Sequence, residues 1–307
     1  MSEMYDVVIV GGGAAGLSAA LVLARSRRKV AVVRGGAPRN APAEHMHGFL
    51  SRDGMPPGEL LATGAAEVAG YGGELIDDFV SSAEKSYGQD DFTVQLASGR
   101  TLTARRVLIA TGLRDELPDL PGLRERWGAD VLHCPYCHGY EVRDQPIGLL
   151  GGDDPRTLHV ALLLPQWSAD VILFQHTMEL SDTDRAQLDA RGVRVVEGEV
   201  ARLVVDGTLR GVELADGRAV PRSAMFVAPT FVPNADVLHS LGCDFDEKGW
   251  VVVDPTGRTS VPGVWAAGNV SSAAAQVIVA AAAGYNAAVA INGDLVLEAA
   301  QLPVSAG

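Results

Sequence analysis

The sequence predicts an α/β protein of two three-layer domains with parallel sheets, one domain interrupted by the other. Three observations predict it. A complete strand, glycine turn, helix and second strand occupy residues 5–33. A second strand–turn–helix unit begins at Pro146. Short apolar strands and an Ala-rich helix return after residue 235. The expected division is residues 1–115 and 235–307 for the outer domain and 116–234 for the inserted one.

Residues 5–10 are a short, β-branched apolar run, the mark of a strand buried on both faces. Gly11-Gly12-Gly13-Ala14-Ala15-Gly16 makes the turn, 17–25 repeats small and apolar residues at helical spacing, and 29–33 is the second strand. Further strands are expected at 74–79, 92–96, 101–104 and 106–109, the last running into Ala110-Thr111-Gly112. Residues 116–122, with Pro118 and Pro121, read as a linker. The inserted unit has a strand at 147–150, a turn at 151–155, a helix at 157–164, and strands at 170–174 and 193–197. Residues 228–234, with two prolines, read as the return crossing. Strands at 250–253 and 264–267 and a helix from about Gln276 close the chain.

Composition bounds the function. Apolar residues make up 47% and charged residues 21% of 307, a globular balance with room for a sizeable core. A formal net charge of −13 argues against nucleic acid as partner. Residues 1–6 are polar and the next apolar run breaks at Gly11, so no leader is read there. The best membrane candidate, 273–291, is interrupted by Gln276, Tyr285 and Asn286 and reads as a buried helix. The cytosol is the expected location, with no membrane partner. Three cysteines make no disulfide framework, and a close pair in a reducing compartment reads as metal-binding or redox-active.

Gly11, Gly13 and Gly16 match G-x-G-x-x-G in the strand–turn–helix setting that gives it meaning. The first glycine allows the tight turn, the second lets backbone approach a pyrophosphate, and the third lets helix and strand pack closely. The free N–H groups of the helix start favour phosphate. The bland reading is a Gly-rich turn without ligand. Arg34 ends the second strand, where an acidic residue usually holds a ribose hydroxyl, so it is assigned to phosphate or adenine.

The sharpest feature is His133-Cys134-Pro135-Tyr136-Cys137-His138-Gly139-Tyr140-Glu141. Two residues between cysteines suit an intramolecular disulfide when the segment opens a helix, and a helix start stabilises thiolate. His133 or His138, with His138 favoured, is a candidate acid or base. Two alternatives stand beside this. A zinc half-site needs four ligands, there is no second C-x-x-C, and Cys243 is solitary. An inert buried pair suits an apolar setting better than one flanked by histidines. No metal is expected, and Cys243 reads as a bystander.

The order of motifs, from the N-terminal glycines through Ala110-Thr111-Gly112 and the C-x-x-C to Val264-Trp265-Ala266-Ala267-Gly268-Asn269, resembles the low-molecular-weight thioredoxin reductase family over nearly the whole chain. The resemblance implies FAD in the two-segment domain, an inserted pyridine-nucleotide-type Rossmann domain bearing the cysteines, and a homodimer. It implies FAD contacts from Gly11, Gly13, Ala14, Ala15 and Gly16, from Val80 near adenine, and from Ala110, Thr111 and Gly112. Gly268 and Asn269 would meet the ribitol, Asn269 standing where the family usually has Asp. Gln276 and Val277 would bring a helix start to the flavin N1/O2 edge, and His47 would lie beside the isoalloxazine. Arg34 and Asn40 are counted with this set.

Two departures matter. An acidic residue follows the second cysteine in the reductases; here it is His138. The run Cys-Pro-Tyr-Cys-His-Gly-Tyr-Glu, with Pro38-Arg39-Asn40 and 45–50, is similar to FAD-dependent small-molecule dithiol oxidases that close the disulfides of holomycin, gliotoxin and related products. Second, the inserted domain should carry another G-x-G-x-x-A. Its frame is Gly151-Gly152-Asp153-Asp154-Pro155-Arg156, with a carboxylate at the second glycine, and 174–179 lacks the basic cluster a 2′-phosphate needs. NADPH is therefore expected to bind poorly.

Three readings follow. In the first, a small-molecule dithiol exchanges with a Cys134–Cys137 disulfide. Cys134 forms the mixed disulfide, Cys137 faces the flavin, His138 takes a proton, and O₂ is the final acceptor. The second is an NADPH-dependent thioredoxin or disulfide reductase. The third is a non-enzymatic flavin redox sensor.

Overall fold

The computed structural model describes residues 4–86 and 90–301. It divides into two compact units: the residues up to Arg39 with Gly58–Arg114 and those from Phe231 onward, and Asn40–Pro57 with Asp115–Thr230. The segment 40–57, assigned from sequence to the outer domain, groups with the second unit.

The first unit is built on β1 (Met4–Val10), α1 (Ala14–Arg25), β2 (Val30–Arg34), α2 (Pro57–Gly70), β3 (Glu74–Asp77), β4 (Val80–Lys85), β5 (Phe92–Leu96) and β6 (Thr101–Ile109). Its sheet runs β3-β2-β1-β6-β5-β4. The pairs β3/β2, β2/β1 and β1/β6 are parallel, and β6/β5 and β5/β4 antiparallel. Val7, Val8, Ile9 and Val10 are all buried, as a strand covered on both faces requires. The 101–104 and 106–109 segments form one strand. It is long enough that its start pairs with β5 and its last residues with the strand Val264–Ala266.

Two glycines set the helix packing of this unit. A Cβ on Gly16 would fall 1.9 Å from the Gly11 carbonyl oxygen, so α1 can rest on the end of β1 only with glycine there. A Cβ on Gly284 would fall 1.9 Å from the Ala15 carbonyl, so the terminal helix Val277–Gln301 crosses α1 at backbone contact. The expectation that this helix is buried needs correction. Ala280, Ala287, Ala288, Ile291 and Leu295 face the core, but Ile278, Tyr285, Val289 and Val296 are exposed. By length and composition its Val277–Ala300 stretch is apolar enough to cross a membrane.

The second unit carries a parallel sheet in the order Arg194–Val196, Val171–Phe174, Ile147–Leu150, Ala224–Phe226 and Val131–Leu132. An antiparallel meander of Val200–Asp206, Thr208–Leu214 and Ala219–Pro221 was not anticipated.

Three other expectations change. The 74–79 strand ends at Asp77, because Phe79 is exposed and the chain restarts as β4. Residues 250–253 form only an isolated bridge, Phe245 to Val251. The 116–122 linker follows a strand, Leu113–Glu116, which pairs with Thr230–Pro233.

Candidate functional site

The first unit builds a cradle at the end of its sheet. Gly11 has φ +115°, a conformation costly for any side chain, and a Cβ there would meet the Ala110 carbonyl oxygen at 2.3 Å. At Gly12 a Cβ would meet the Arg34 Cβ at 2.5 Å. Gly13 differs: it caps α1 with φ −77° and ψ −174°, and a Cβ there meets nothing within 4 Å. Its open side is where a group from outside can approach the backbone, as the pyrophosphate of a dinucleotide requires. Ala14 and Ala15 begin α1, whose first turn carries no acidic residue to oppose an anion. This set fits a dinucleotide.

The rest of the cradle comes from distant segments. Ala110 N–H donates to the Val10 carbonyl at 2.7 Å and holds the Ala110-Thr111-Gly112 turn against β1. Thr111 Oγ1 donates to the Asn234 carbonyl (2.7 Å), and Asn234 Nδ2 donates to the Thr111 carbonyl (3.0 Å). Sequence reasoning missed Asn234, which pins the turn reciprocally. Gly268 has φ +81° and follows the strand Val264–Ala266. Asn269 Nδ2 donates to the carbonyls of Ser272 (2.9 Å), Ala273 (3.4 Å) and Ala275 (3.0 Å). Its amide nitrogen is thus committed, and its carbonyl oxygen can accept from a hydroxyl. A carboxylate here would face three carbonyl oxygens, so asparagine fits this loop and aspartate does not. Gln276 and Val277 stand at the start of the terminal helix, and Val80 starts β4.

Arg34 acquires a partner the sequence did not reveal. Asp77, at the end of β3, accepts from its Nε at 2.6 Å and its Nη2 at 3.4 Å. The acidic group absent from the end of β2 is thus present on the neighbouring strand, joined to the arginine.

The second unit holds the cysteines. Cys134 and Cys137 form a disulfide with Cα atoms 5.3 Å apart. Cys134 caps the one-turn helix α3 (Pro135–His138), with Pro135 at its first position. The N–H groups of Cys137 and His138 donate to the Cys134 carbonyl at 3.1 and 3.2 Å. Cys134 is 7% exposed. Gly139 is required beside it, since a Cβ would meet the Pro135 carbonyl at 2.5 Å and the Trp167 ring at 2.8 Å. Tyr136 is exposed and sits edge-on to Trp167 (6.1 Å), while His133 stacks on Trp127 (5.7 Å).

His138 stands out chemically. Both ring nitrogens are buried with no hydrogen-bond partner. Burial pushes the imidazole below its usual range, against an upward pull from Glu141. The imidazole following the disulfide is thus held neutral near pH 7, with a ring nitrogen open to accept a proton. Asn40 and His47 lie in this unit with the cysteines. His47 is flanked by two carboxylates that sequence reasoning did not single out as site residues, Asp53 and Glu141, each at 3.4 Å.

The second glycine loop is occupied by its own side chains. Gly151 is required, because a Cβ would meet the Gln175 carbonyl at 2.2 Å. Beyond it the Asp154 carboxylate accepts from the Arg156 backbone N–H (2.8 Å) and Nε (2.9 Å), at the first turn of the helix Arg156–Leu163. The Arg156 side chain holds the Asp154 carboxyl below its ordinary range, so it is ionised where a pyrophosphate would seek those N–H groups. In the region expected to bind a 2′-phosphate, Arg185 is paired with Glu197 (3.1 Å) and His176 Nδ1 accepts from Val200 N–H (3.1 Å). The donors of this loop and of Arg185 are thus already engaged within the protein.

Comparison with known proteins agrees with this geometry. Residues 5–284 match the family model "Pyridine nucleotide-disulphide oxidoreductase". The chain is 31% identical to the thioredoxin reductase sirT of Leptosphaeria maculans, over 94% of each chain. It is also 31% identical to the thioredoxin reductase of Streptomyces coelicolor, over 94% of this chain and 93% of that one. The crystal structure of HlmI superposes with a TM-score of 0.93 at 56% identity, covering 98% of this chain and 96% of that one. With a dinucleotide cradle in one unit and a C-x-x-C disulfide in the other, this chain belongs to the pyridine nucleotide-disulphide oxidoreductase family, as a flavin-dependent disulfide oxidoreductase of the thioredoxin reductase type.

Proposed function

We propose that this protein oxidises a small-molecule dithiol of the holomycin type to its cyclic disulfide, with dioxygen as final electron acceptor. The observation that carries the proposal is the Cys134–Cys137 disulfide with the buried, unpartnered imidazole of His138 directly following it. A reductase has no need of a neutral base that deprotonates an incoming thiol, whereas a dithiol oxidase does. The similarity to HlmI supports the coarser part of this reading, a flavin disulfide oxidoreductase.

In this scheme His138 takes a proton from the substrate, since thiolate is the attacking species. The thiolate bonds to Cys134 Sγ, the Cys134–Cys137 bond breaks, and Cys137 leaves with the electron pair. The second substrate sulfur then attacks its partner in the mixed disulfide, closes the product ring and frees Cys134. The substrate loses two electrons and two protons, and the cysteine pair gains the two electrons. The glycine turn, the Ala-Thr-Gly turn and Asn269 would hold FAD in the first unit, where it would supply a two-electron acceptor for the cysteine pair that dioxygen could reoxidise to give H₂O₂. The Asp154–Arg156 pair supports a cycle without NADPH.

The test is stopped-flow with no nicotinamide present. Anaerobic dithiol is expected to bleach the flavin absorbance, and dioxygen to restore it with one H₂O₂ per disulfide. Both steps are expected to fail in Cys134→Ser and Cys137→Ser. Bleaching by micromolar NADPH instead of by dithiols would overturn the proposal.

A further inference from the structure

The end of β2 departs from the dinucleotide pattern. An acidic residue at that place ordinarily accepts a hydrogen bond from the adenosine ribose. Here the place is taken by Arg34, whose guanidinium donates hydrogen bonds and accepts none.

The arginine is nevertheless part of the cradle. A Cβ on Gly12 would meet Arg34 Cβ at 2.5 Å and Cδ at 3.3 Å, so its stem lies along the glycine turn. The β2/β3 register sets Arg34 directly beside Asp77. Arg34 Nε donates to Asp77 Oδ1 at 2.6 Å and Nη2 donates to Oδ2 at 3.4 Å. A carboxylate is thus held at the sheet edge, one strand over from where the pattern expects it. Each carboxylate oxygen has more than one acceptor site, so the arginine leaves capacity for further donors. The Asp77 side chain is 77% exposed, open to a ligand. The neighbouring Asp78 is not equivalent. It accepts from Phe79 N–H at 2.7 Å and from Ser98 N–H at 3.4 Å, which closes the turn into β4.

Beside this pair stands an aromatic face. Gly35 and Gly36 follow Arg34 without side chains. Phe79 Cδ1 and Cε1 stand 2.8 Å from where a Gly35 Cβ would be, and Cζ stands 3.6 Å from a Gly36 Cβ, so the ring rests on glycine backbone. The residue is 60% exposed. One exposed ring alone means little. Next to an open carboxylate, at the end of a dinucleotide-type sheet, it supplies the flat apolar face on which a purine stacks.

We propose that Asp77, Arg34 and Phe79 form the adenosine subsite for FAD. Asp77 accepts from the ribose hydroxyls, and the Phe79 ring stacks on the purine. Arg34 acts through Asp77, whose carboxylate it holds in place, and is a positioning residue. The acid that the fold ordinarily takes from β2 is supplied here by β3. The inference is independent of which dithiol the protein oxidises.

The test uses the full chain stripped of flavin. It is titrated with FAD, with FMN, and with FAD analogues lacking the adenosine 2′- or 3′-hydroxyl, and binding is read by the change in flavin fluorescence. Wild type is expected to hold FAD at least about ten-fold tighter than FMN and than one of the deoxy analogues. In Asp77→Ala, FAD affinity should fall about ten-fold and the penalty for the missing hydroxyl should shrink below about two-fold, a coupling that a merely structural ion pair does not produce. Phe79→Ala should weaken FAD about ten-fold and keep the hydroxyl penalty. Arg34→Asp combined with Asp77→Arg returns the carboxylate to β2 and should bind FAD within about three-fold of wild type, whereas Arg34→Asp alone, with two carboxylates side by side, should not. Equal wild-type affinity for FAD and both deoxy analogues, FMN bound as tightly as FAD, or a hydroxyl penalty that persists in Asp77→Ala overturns the assignment. If Asp77→Ala fails to fold, the exchanged pair decides: a folded exchanged pair that binds FAD no better than Arg34→Asp alone overturns it too.

Discussion

Two glycines of the N-terminal motif look alike in sequence but meet different surroundings, and replacing each with alanine separates binding from folding. At Gly16 the added methyl would stand 1.9 Å from the Gly11 carbonyl oxygen and 3.3 Å from Ile9 Cγ2. Ordinary contact needs about 3.4 Å, so α1 must retreat from β1 by roughly 1.5 Å at its closest point. Overpacking of this kind costs about 1–3 kcal/mol. At about 2–4 °C per kcal/mol for a domain of this size, the melting temperature of the apoprotein should fall by roughly 2–12 °C. At Gly13 the methyl meets no protein atom within 4 Å, and φ −77° with ψ −174° suits any L-residue. Losing a glycine from the unfolded chain stabilises by about 0.4–1 kcal/mol, and alanine is a poorer helix cap by a similar amount, so the two nearly cancel. Gly13→Ala apoprotein should therefore melt within about 2 °C of wild type. The methyl instead occupies the approach of the pyrophosphate, and FAD affinity should drop at least about ten-fold, roughly 1.4 kcal/mol. Scanning calorimetry of apoprotein and flavin titration by fluorescence quenching read the two effects separately. Wild-type flavin affinity in Gly13→Ala, or a melting loss as large as that of Gly16→Ala, would refute the reasoning.

Other perturbations follow from the same geometry. Asn269→Asp places a carboxylate against the Ser272, Ala273 and Ala275 carbonyls. It should cost about 1–3 kcal/mol of stability and release flavin during purification, measured by urea midpoint and by the absorbance ratio of flavin to protein. His138 is depressed by burial below its ordinary 6.5, so the unfolded chain binds more protons through that window. Its contribution is present above pH 6.5 and lost as pH falls toward the folded value; His138→Phe should flatten the fall in urea midpoint between pH 7.5 and 5.5. The exposed row Ile278, Tyr285, Val289 and Val296 on the terminal helix is the face we assign to the homodimer the family resemblance implies. Sedimentation should give twice the chain mass for wild type and a lower mass for Val289→Glu; a monomeric wild type would remove that assignment.

What the sequence made legible was local chemistry, and what it hid was pairing over distance. The glycine turn and the Cys-Pro-Tyr-Cys helix are each set by neighbours within a few residues, and both stand where expected. Arg34 looked anomalous because its partner, Asp77, is reached only when β2 and β3 align in register. Asn269 stands where the family usually has Asp, and only the folded loop shows three carbonyls as acceptors for its amide nitrogen. The false strand at 250–253 has the right β-branched residues but the wrong flanks. Asp246 accepts from Lys248 and Trp250 N–H, and Asp254 from Thr256 and Arg258 N–H, so side-chain turns at both ends take the backbone donors a ladder would use. The meander at 200–221 had a signal that was passed over: Asp206-Gly207 and Asp216-Gly217, with glycine φ of +67° and +87°, are hairpin turns between alternating strands.

The histidines divide along the same line. His138 could be suspected from its place after Cys137, but its lack of any partner is a property of the folded unit. His47 is joined to Glu141 across 94 positions of chain, a distance over which no spacing rule operates. The family resemblance implies a place for His47 beside the flavin, and its two carboxylate partners lie with it in the unit that bears the disulfide. The flavin cradle is built largely from backbone, which a short glycine pattern encodes. The setting of His138, by contrast, is made by side chains brought together only by folding.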